Sequence, residues 1–145
     1  MRAVRVAAAA AVAVAVVAVG CAGRGGDSGT PPSVRLAEPA DRLSVTAREF
    51  GFDPDSWIIA AGRSVDIEFN NRGTIPHEWA LLRAGARPSS QREFSDDMVL
   101  FEVEAIAEGS AATAAFSVKE PGTYLVICAL QGHLDAGMRG TLTVR

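Results

Sequence analysis

Ser64-Val65-Asp66-Ile67-Glu68-Phe69-Asn70 is the stretch that decides the fold class. Val65, Ile67 and Phe69 fall on one side of an extended chain and their polar neighbours on the other, the period of two of a half-buried strand. The same alternation recurs on either side. Leu43, Val45 and Ala47 alternate with Ser44, Thr46 and Arg48; Ala114, Phe116 and Val118 alternate with Thr113, Ala115 and Ser117; Trp79 and Leu81 continue the face of His77. Turn signals separate these runs at Asp53-Pro54-Asp55, Ala61-Gly62, Asn70-Asn-Arg-Gly73, Glu108-Gly-Ser110, Pro121-Gly122 and Gly137 to Gly140. Short strands at close intervals with Gly/Pro punctuation predict an all-β, antiparallel sandwich or barrel. The segment Ala84 to Ala107 is polar at first and then apolar, and reads either as a loop feeding an edge strand or as a helical turn.

The chain has 145 residues, 48% of them hydrophobic and 21% charged, enough for one core but not for two independent domains. The working domain is expected over 42–145. Fourteen basic residues, of which only Lys119 is a lysine, stand against 17 acidic ones for a net charge of -3. No basic cluster tracks a phosphate backbone, so nucleic acid is not an expected partner. Two cysteines cannot form a disulfide framework, and each needs its own explanation. The two histidines, His77 and His133, exclude any mechanism that needs three or four. Glu93, Asp96, Asp97, Glu102, Glu104 and Glu108 form a stretch with no base between Arg92 and Lys119, read first as a solvated face and alternatively as a surface that steers a basic partner.

Arg2 and Arg5 precede Val6 to Gly20, fifteen residues of Ala, Val and a final Gly, too short to cross a ~30 Å hydrocarbon core as a helix. Residues 1–20 therefore read as an export signal peptide. The junction Ala18-Val19-Gly20-Cys21 resembles the bacterial lipobox, in which the cysteine is lipidated and becomes the new N-terminus. Ordinary signal cleavage, leaving a secreted or periplasmic soluble protein, is the alternative. Residues 21–41, opening with lipidated Cys21 and rich in Gly, Ser and Pro, read as a flexible linker. Loss of residues 1–20 removes two bases and no acid, leaving 12 basic against 17 acidic residues. The expected location is the outer face of the cytoplasmic membrane, through a lipid anchor.

Cys128, His133 and Met138 are spaced C-x4-H-x4-M between the apolar run Tyr124-Leu-Val-Ile-Cys128 and a closing strand Thr141-Leu-Thr-Val144. A loop joining two adjacent strand ends can fold back so that thiolate, imidazole and thioether point at one spot. His77 opens another strand. Taken singly, Cys128 would be a buried thiol, Met138 a filler, His133 a loop residue and His77 a strand end. Their joint occurrence is the signal, because it takes in both histidines and the one cysteine outside the N-terminal segment. Two imidazoles, a thiolate and a weak thioether make the ligand set of a mononuclear type 1 copper site. Structural zinc fits poorly, since thioether is an unusual zinc ligand and paired-cysteine spacing is absent.

From Leu43 to Val144 the chain resembles the cupredoxins, the blue-copper proteins. Asn70-Asn-Arg-Gly-Thr-Ile-Pro-His77 is similar to the segment carrying the family's first histidine, and Pro121 to Val144 is similar to its C-terminal ligand loop. The x4/x4 spacing is closer to rusticyanin and auracyanin than to plastocyanin. The resemblance implies an eight-stranded Greek-key β-sandwich, with one copper held at one end by His77, Cys128, His133 and Met138. Two departures stand out. Asn commonly follows the first histidine and bonds across to the cysteine loop; here it is Glu78, so that tie is either made differently or missing. Gln131 replaces a frequent Pro.

The resemblance implies a monomeric, non-enzymatic electron carrier working between membrane-bound or exported redox proteins, with copper binding or delivery as the alternative. Multicopper oxidases and copper nitrite reductases need further histidines, and a dinuclear copper centre needs a second nearby cysteine. Partner contact is expected around His133, over Ala129, Leu130, Leu134 and Ala136.

Overall fold

The computed structural model describes residues 37–145, so the expected signal peptide, Cys21 and most of the expected linker lie outside the described residues. Nine strands are found among these: β1 (Arg42–Arg48), β2 (Gly51–Asp53), β3 (Ser56–Ile59), β4 (Val65–Asn71), β5 (His77–Leu82), β6 (Val99–Ile106), β7 (Ala111–Phe116), β8 (Gly122–Ile127) and β9 (Arg139–Val144). They form two sheets, β2-β1-β4-β7 and β3-β9-β8-β5-β6, arranged as in a Greek-key β-sandwich. The count exceeds eight because the chain changes sheets at Asp53-Pro54-Asp55, leaving β2 on one sheet and β3 on the other. Proline has no N–H with which to continue a ladder.

Pairing is mostly antiparallel, but β1 runs parallel to β4 and β3 parallel to β9. Parallel neighbours need a long connection between them. The excursion through β2 and β3 supplies it for the first pair, and most of the domain intervenes for the second.

Residues pointing inward from both sheets make the main core. Leu43, Val45 and Ala47 of β1 and Val65, Ile67 and Phe69 of β4 are buried, as their alternation predicts. At its centre Trp79 is fully buried, its ring edge-on to Trp57 at 5.7 Å and tilted against Phe116 at 5.6 Å; Phe116 in turn stacks on Phe101 at 4.9 Å.

β5 departs from simple alternation. Ala80 and Leu82, on its outward face, are also fully buried. The 84–107 segment explains this: it is a loop, then a 3-10 turn at Asp96–Met98, then the edge strand β6, and its Phe94, Met98 and Val99 pack with Leu134 over Ala80, Leu82 and Ile127. A second small core therefore lies outside the five-stranded sheet. Glu102 and Glu104 are exposed on β6. Charged side chains on an edge strand discourage pairing with another chain.

Candidate metal centre

Two chain segments converge at one end of the sandwich. His77 is the first residue of β5, Cys128 follows the last residue of β8, and His133 and Met138 lie in the loop that joins β8 to β9. The strands on which this loop starts and ends are paired neighbours, Ile127 opposite Arg139. The loop closes on itself: Cys128 N–H donates to Met138 O at 3.2 Å and Met138 N–H to His133 O at 3.0 Å. His133 N–H donates to Leu130 O, and Gly137 N–H to Leu134 O, both at 3.0 Å. Gly132 and Gly137, immediately before His133 and Met138, take φ of 85° and 94°. Glycine enters that left-handed region without steric cost, so each residue reaches the site across a turn that a side chain would strain.

His77, Cys128 and His133 are brought together: one donor atom from each lies within 4.8 Å of the others. All three are buried, His133 with 8% of its surface exposed and the other two with none. Cys128 Sγ stands 3.2 Å from His133 Nδ1, and the two imidazole centroids are 5.0 Å apart. Met138 is fully buried and belongs to the same cluster as Cys128.

Burial governs the electrostatics of the site. Burial pushes the Cys128 thiol up to about 11, against the opposing pull of N–H groups from Glu78 and Leu130. Burial and the neighbouring His77 hold His133 below the usual imidazole range, with Glu49 acting in the opposite sense. Neither ring nitrogen of His77 has a hydrogen-bond partner, although both are buried. Such a group is costly to leave unsatisfied. His77 Nε2 is turned toward Glu49 Oε1, 3.4 Å away, which leaves Nδ1 for the cluster. An orphaned imidazole lone pair beside a second imidazole and a thiol fits a soft or borderline metal ion, which takes the place of the thiol proton.

Glu78 resolves the departure seen in the sequence. The tie to the cysteine loop is made, but by a carboxylate: Ala129 N–H donates to Glu78 Oε1 at 2.8 Å, while Glu78 N–H approaches Cys128 Sγ at 3.5 Å. Burial, with Glu102 and Asp96 nearby, raises the Glu78 carboxyl above its usual range, and the Ala129 N–H opposes this.

Three further residues position the site. Asn71 is fully buried; its side-chain amide donates to Ile75 O at 2.8 Å and Ile106 O at 3.0 Å, and its oxygen accepts from Gly73 N–H at 2.9 Å. It thereby fixes the loop that delivers His77. Glu49 and Phe50, in the turn between β1 and β2, reach the two histidines, Phe50 standing edge-on to the His133 ring at 5.1 Å. The Asn-Asn-Arg-Gly signal marks Asn71 as a turn residue; nothing in the spacing marks Glu49 or Phe50.

The expected contact surface needs correction. Leu134 is fully buried in the outer core, packed where the 84–98 loop crosses the sheet, and cannot meet a partner. The large apolar residue exposed beside His133 is Phe50, at 43%. No helix among the described residues is long and apolar enough to cross a membrane.

Known proteins resemble this chain in sequence and fold. Auracyanin-B of Chloroflexus aurantiacus is 29% identical over 124 residues, which cover 73% of this chain and 53% of that protein, so the chain spans about half the length of that relative. The structure of auracyanin A, described as a "blue" copper protein from the same species, has a TM-score of 0.60 at 25% identity and covers 74% of this chain and 100% of its own. The copper-resistant cuproprotein CopI of Rubrivivax gelatinosus is 26% identical over 121 residues, 81% of this chain and 73% of that protein. The cupredoxin-like domain model matches residues 8–144. A match that runs through both sheets and the converging His/Cys/His triad makes this chain a member of the cupredoxin-like domain family.

Proposed function

We propose that this chain is an extracytoplasmic copper-binding protein that holds one copper through His77, Cys128 and His133, with Met138 as a weaker fourth donor, and serves as a one-electron carrier between exported or membrane-bound redox proteins. The observation that carries the reading is the buried triad, a thiol among two imidazoles with one ring left unpartnered. A copper ion bound there supplies reversible one-electron chemistry. The chain's own part is to hold the donors still. The Ala129-to-Glu78 bond and the Asn71 lock, which join side chain to backbone, and the backbone bonds that close the 128–138 loop fix their positions. Donors that do not move between oxidation states keep the reorganisation on electron transfer small. Both histidines are committed to this site, and the likeness to the auracyanins supports a non-enzymatic role.

A second reading, that the site stores or delivers copper, is favoured by the likeness to the copper-resistant cuproprotein CopI, of which the match covers 73% against 53% of auracyanin-B. One experiment separates the two. Copper-loaded protein is cycled between reductant and oxidant in the presence of a Cu(I) chelator. A carrier turns intensely coloured when oxidised, bleaches on reduction and retains its copper through repeated cycles, and Cys128→Ser abolishes the colour. Loss of copper to the chelator on each reduction supports storage, and unchanged colour in Cys128→Ser refutes the ligand assignment.

The reading includes export by residues 1–20, lipidation of Cys21, a linker over 21–41 and a monomeric domain over 42–145. Wild type then partitions with membranes, and Cys21→Ala is released. Wild-type protein free of lipid in the soluble fraction would favour plain secretion.

A further inference from the structure

Glu49 lies in the turn between β1 and β2, far in sequence from every proposed ligand, yet its carboxylate does two things at the site. Oε1 accepts from Thr74 N–H at 2.5 Å, Ile75 N–H at 3.1 Å and Thr74 Oγ1–H at 3.3 Å, so it holds the loop that leads into His77. The same oxygen faces His77 Nε2 at 3.4 Å. Gly73 makes the space for this approach. A Cβ there would stand 2.7 Å from His77 Nε2 and would press on the Glu49 carboxylate.

A neutral imidazole carries one N–H, and which nitrogen bears it is set by the partner of the other. With the proton on Nε2, the N–H points at a carboxylate, and Nδ1 is left as the ring's donor to the group it forms with Cys128 and His133. With the proton on Nδ1, an N–H enters the donor cluster, and a buried lone pair on Nε2 opposes a carboxylate oxygen. The second arrangement sets acceptor against acceptor and blocks the metal position. At 3.4 Å the contact is longer than a good hydrogen bond, and it needs only a few tenths of an ångström to become one.

We propose that Glu49 is a positioning residue for the copper site: its carboxylate selects the Nε2–H form of His77, so that Nδ1 presents its lone pair to the metal, while its bonds to Thr74 and Ile75 fix the ring. The proposal rests on the copper-binding reading for its consequence, but the tautomer is a property of the metal-free protein. A carboxylate behind a metal-binding histidine raises the ligand's basicity, and loss of such partners typically costs about 10- to 100-fold in metal affinity. Its negative charge also favours the more positive oxidation state of a bound ion.

The test uses wild type, Glu49→Gln and Glu49→Ala. Nitrogen-15 NMR of the metal-free proteins at neutral pH reads the His77 tautomer, Cu(I) affinity is measured by chelator competition, and the reduction potential by voltammetry. Wild type is expected in the Nε2–H form. Glu49→Gln keeps an acceptor oxygen and so retains tautomer and affinity, but it loses the charge and its potential rises. Glu49→Ala mixes the tautomers, loses at least about tenfold in affinity and also shifts upward in potential. Nδ1–H in wild type, or wild-type tautomer and affinity in a folded Glu49→Ala, overturns the proposal. Should Glu49→Ala not fold, the tautomers of wild type and Glu49→Gln decide: Nδ1–H in either overturns the proposal. Wild type that shows the Nε2–H form but binds no copper refutes the copper reading and leaves the tautomer assignment standing.

Discussion

Copper affinity should depend on pH in a way peculiar to the buried thiol. In the metal-free fold the Cys128 thiol is pushed up to about 11 by burial. Sulfur binds metal as thiolate, so binding below that pH releases one proton and tightens tenfold for each unit of pH. The informative window is pH 8 to 10. A thiol titrating near 11 gains about 90-fold in thiolate fraction across it, whereas an ordinary thiol near 8.5 gains only about fourfold. His133 adds nothing in that window: its folded value lies below the usual imidazole range, so it is already neutral. The sign follows directly. Affinity rises with pH, with a slope near one in log units across the window. The assay is Cu(I) competition under anaerobic conditions against a chelator whose own protonation is known, with calorimetry in two buffers to count the proton released. Cys128→Ser serves as the control and should lose the slope. A wild-type slope that flattens near pH 8.5 would refute the buried-thiol argument, and no proton release at pH 8 would remove Cys128 from the ligand set.

Met138→Leu should retain copper and raise the reduction potential, because loss of a weak thioether donor disfavours Cu(II) more than Cu(I); voltammetry that finds no shift shows that Met138 is not a ligand. Trp79→Ala, which empties the centre of the aromatic core between Trp57 and Phe116, should cost about 3–5 kcal/mol in denaturant unfolding. Phe50→Glu should slow electron self-exchange between copies by spoiling the apolar contact beside His133 while leaving stability nearly unchanged; Leu134→Glu should instead destabilise the fold by placing a carboxylate in the outer core. Equal self-exchange rates for wild type and Phe50→Glu would move the contact away from this edge.

The parts of the molecule that were legible in the sequence are those whose signal is local or scarce. Val65, Ile67 and Phe69 announce a strand because the period of the pleat is written in seven consecutive residues. His77, Cys128 and His133 could be grouped because the chain holds so few soft donors that their joint placement at strand ends is itself informative. What failed depends on a segment crossing from elsewhere. Leu134 looks like an exposed loop residue until Phe94, Met98 and Val99 are laid over it, and Ala80 and Leu82 break the alternation of β5 for the same reason. Glu49 and Phe50 are invisible because the parallel pairing of β1 with β4, which carries the β1–β2 turn to the loop before His77, is a long-range decision that no local pattern encodes.

Glu78 shows why a departure in sequence need not be a departure in mechanism. The position needs a side-chain oxygen that can accept from the peptide after Cys128, and both an amide and a carboxylate supply one. The carboxylate does so at 2.8 Å. What changes is charge. Glu78 is half-buried, with its carboxyl raised by burial, Glu102 and Asp96, so the residue trades some cost in desolvation for a negative group two bonded contacts from the thiol sulfur. Glu49 brings a second carboxylate to the opposite side, against His77. The chain thus sets acidic groups behind two of its three converging donors, Glu78 behind Cys128 and Glu49 behind His77. That arrangement favours a cation in the site, and it leaves the oxidised, more positive form of a bound ion the better stabilised of the two.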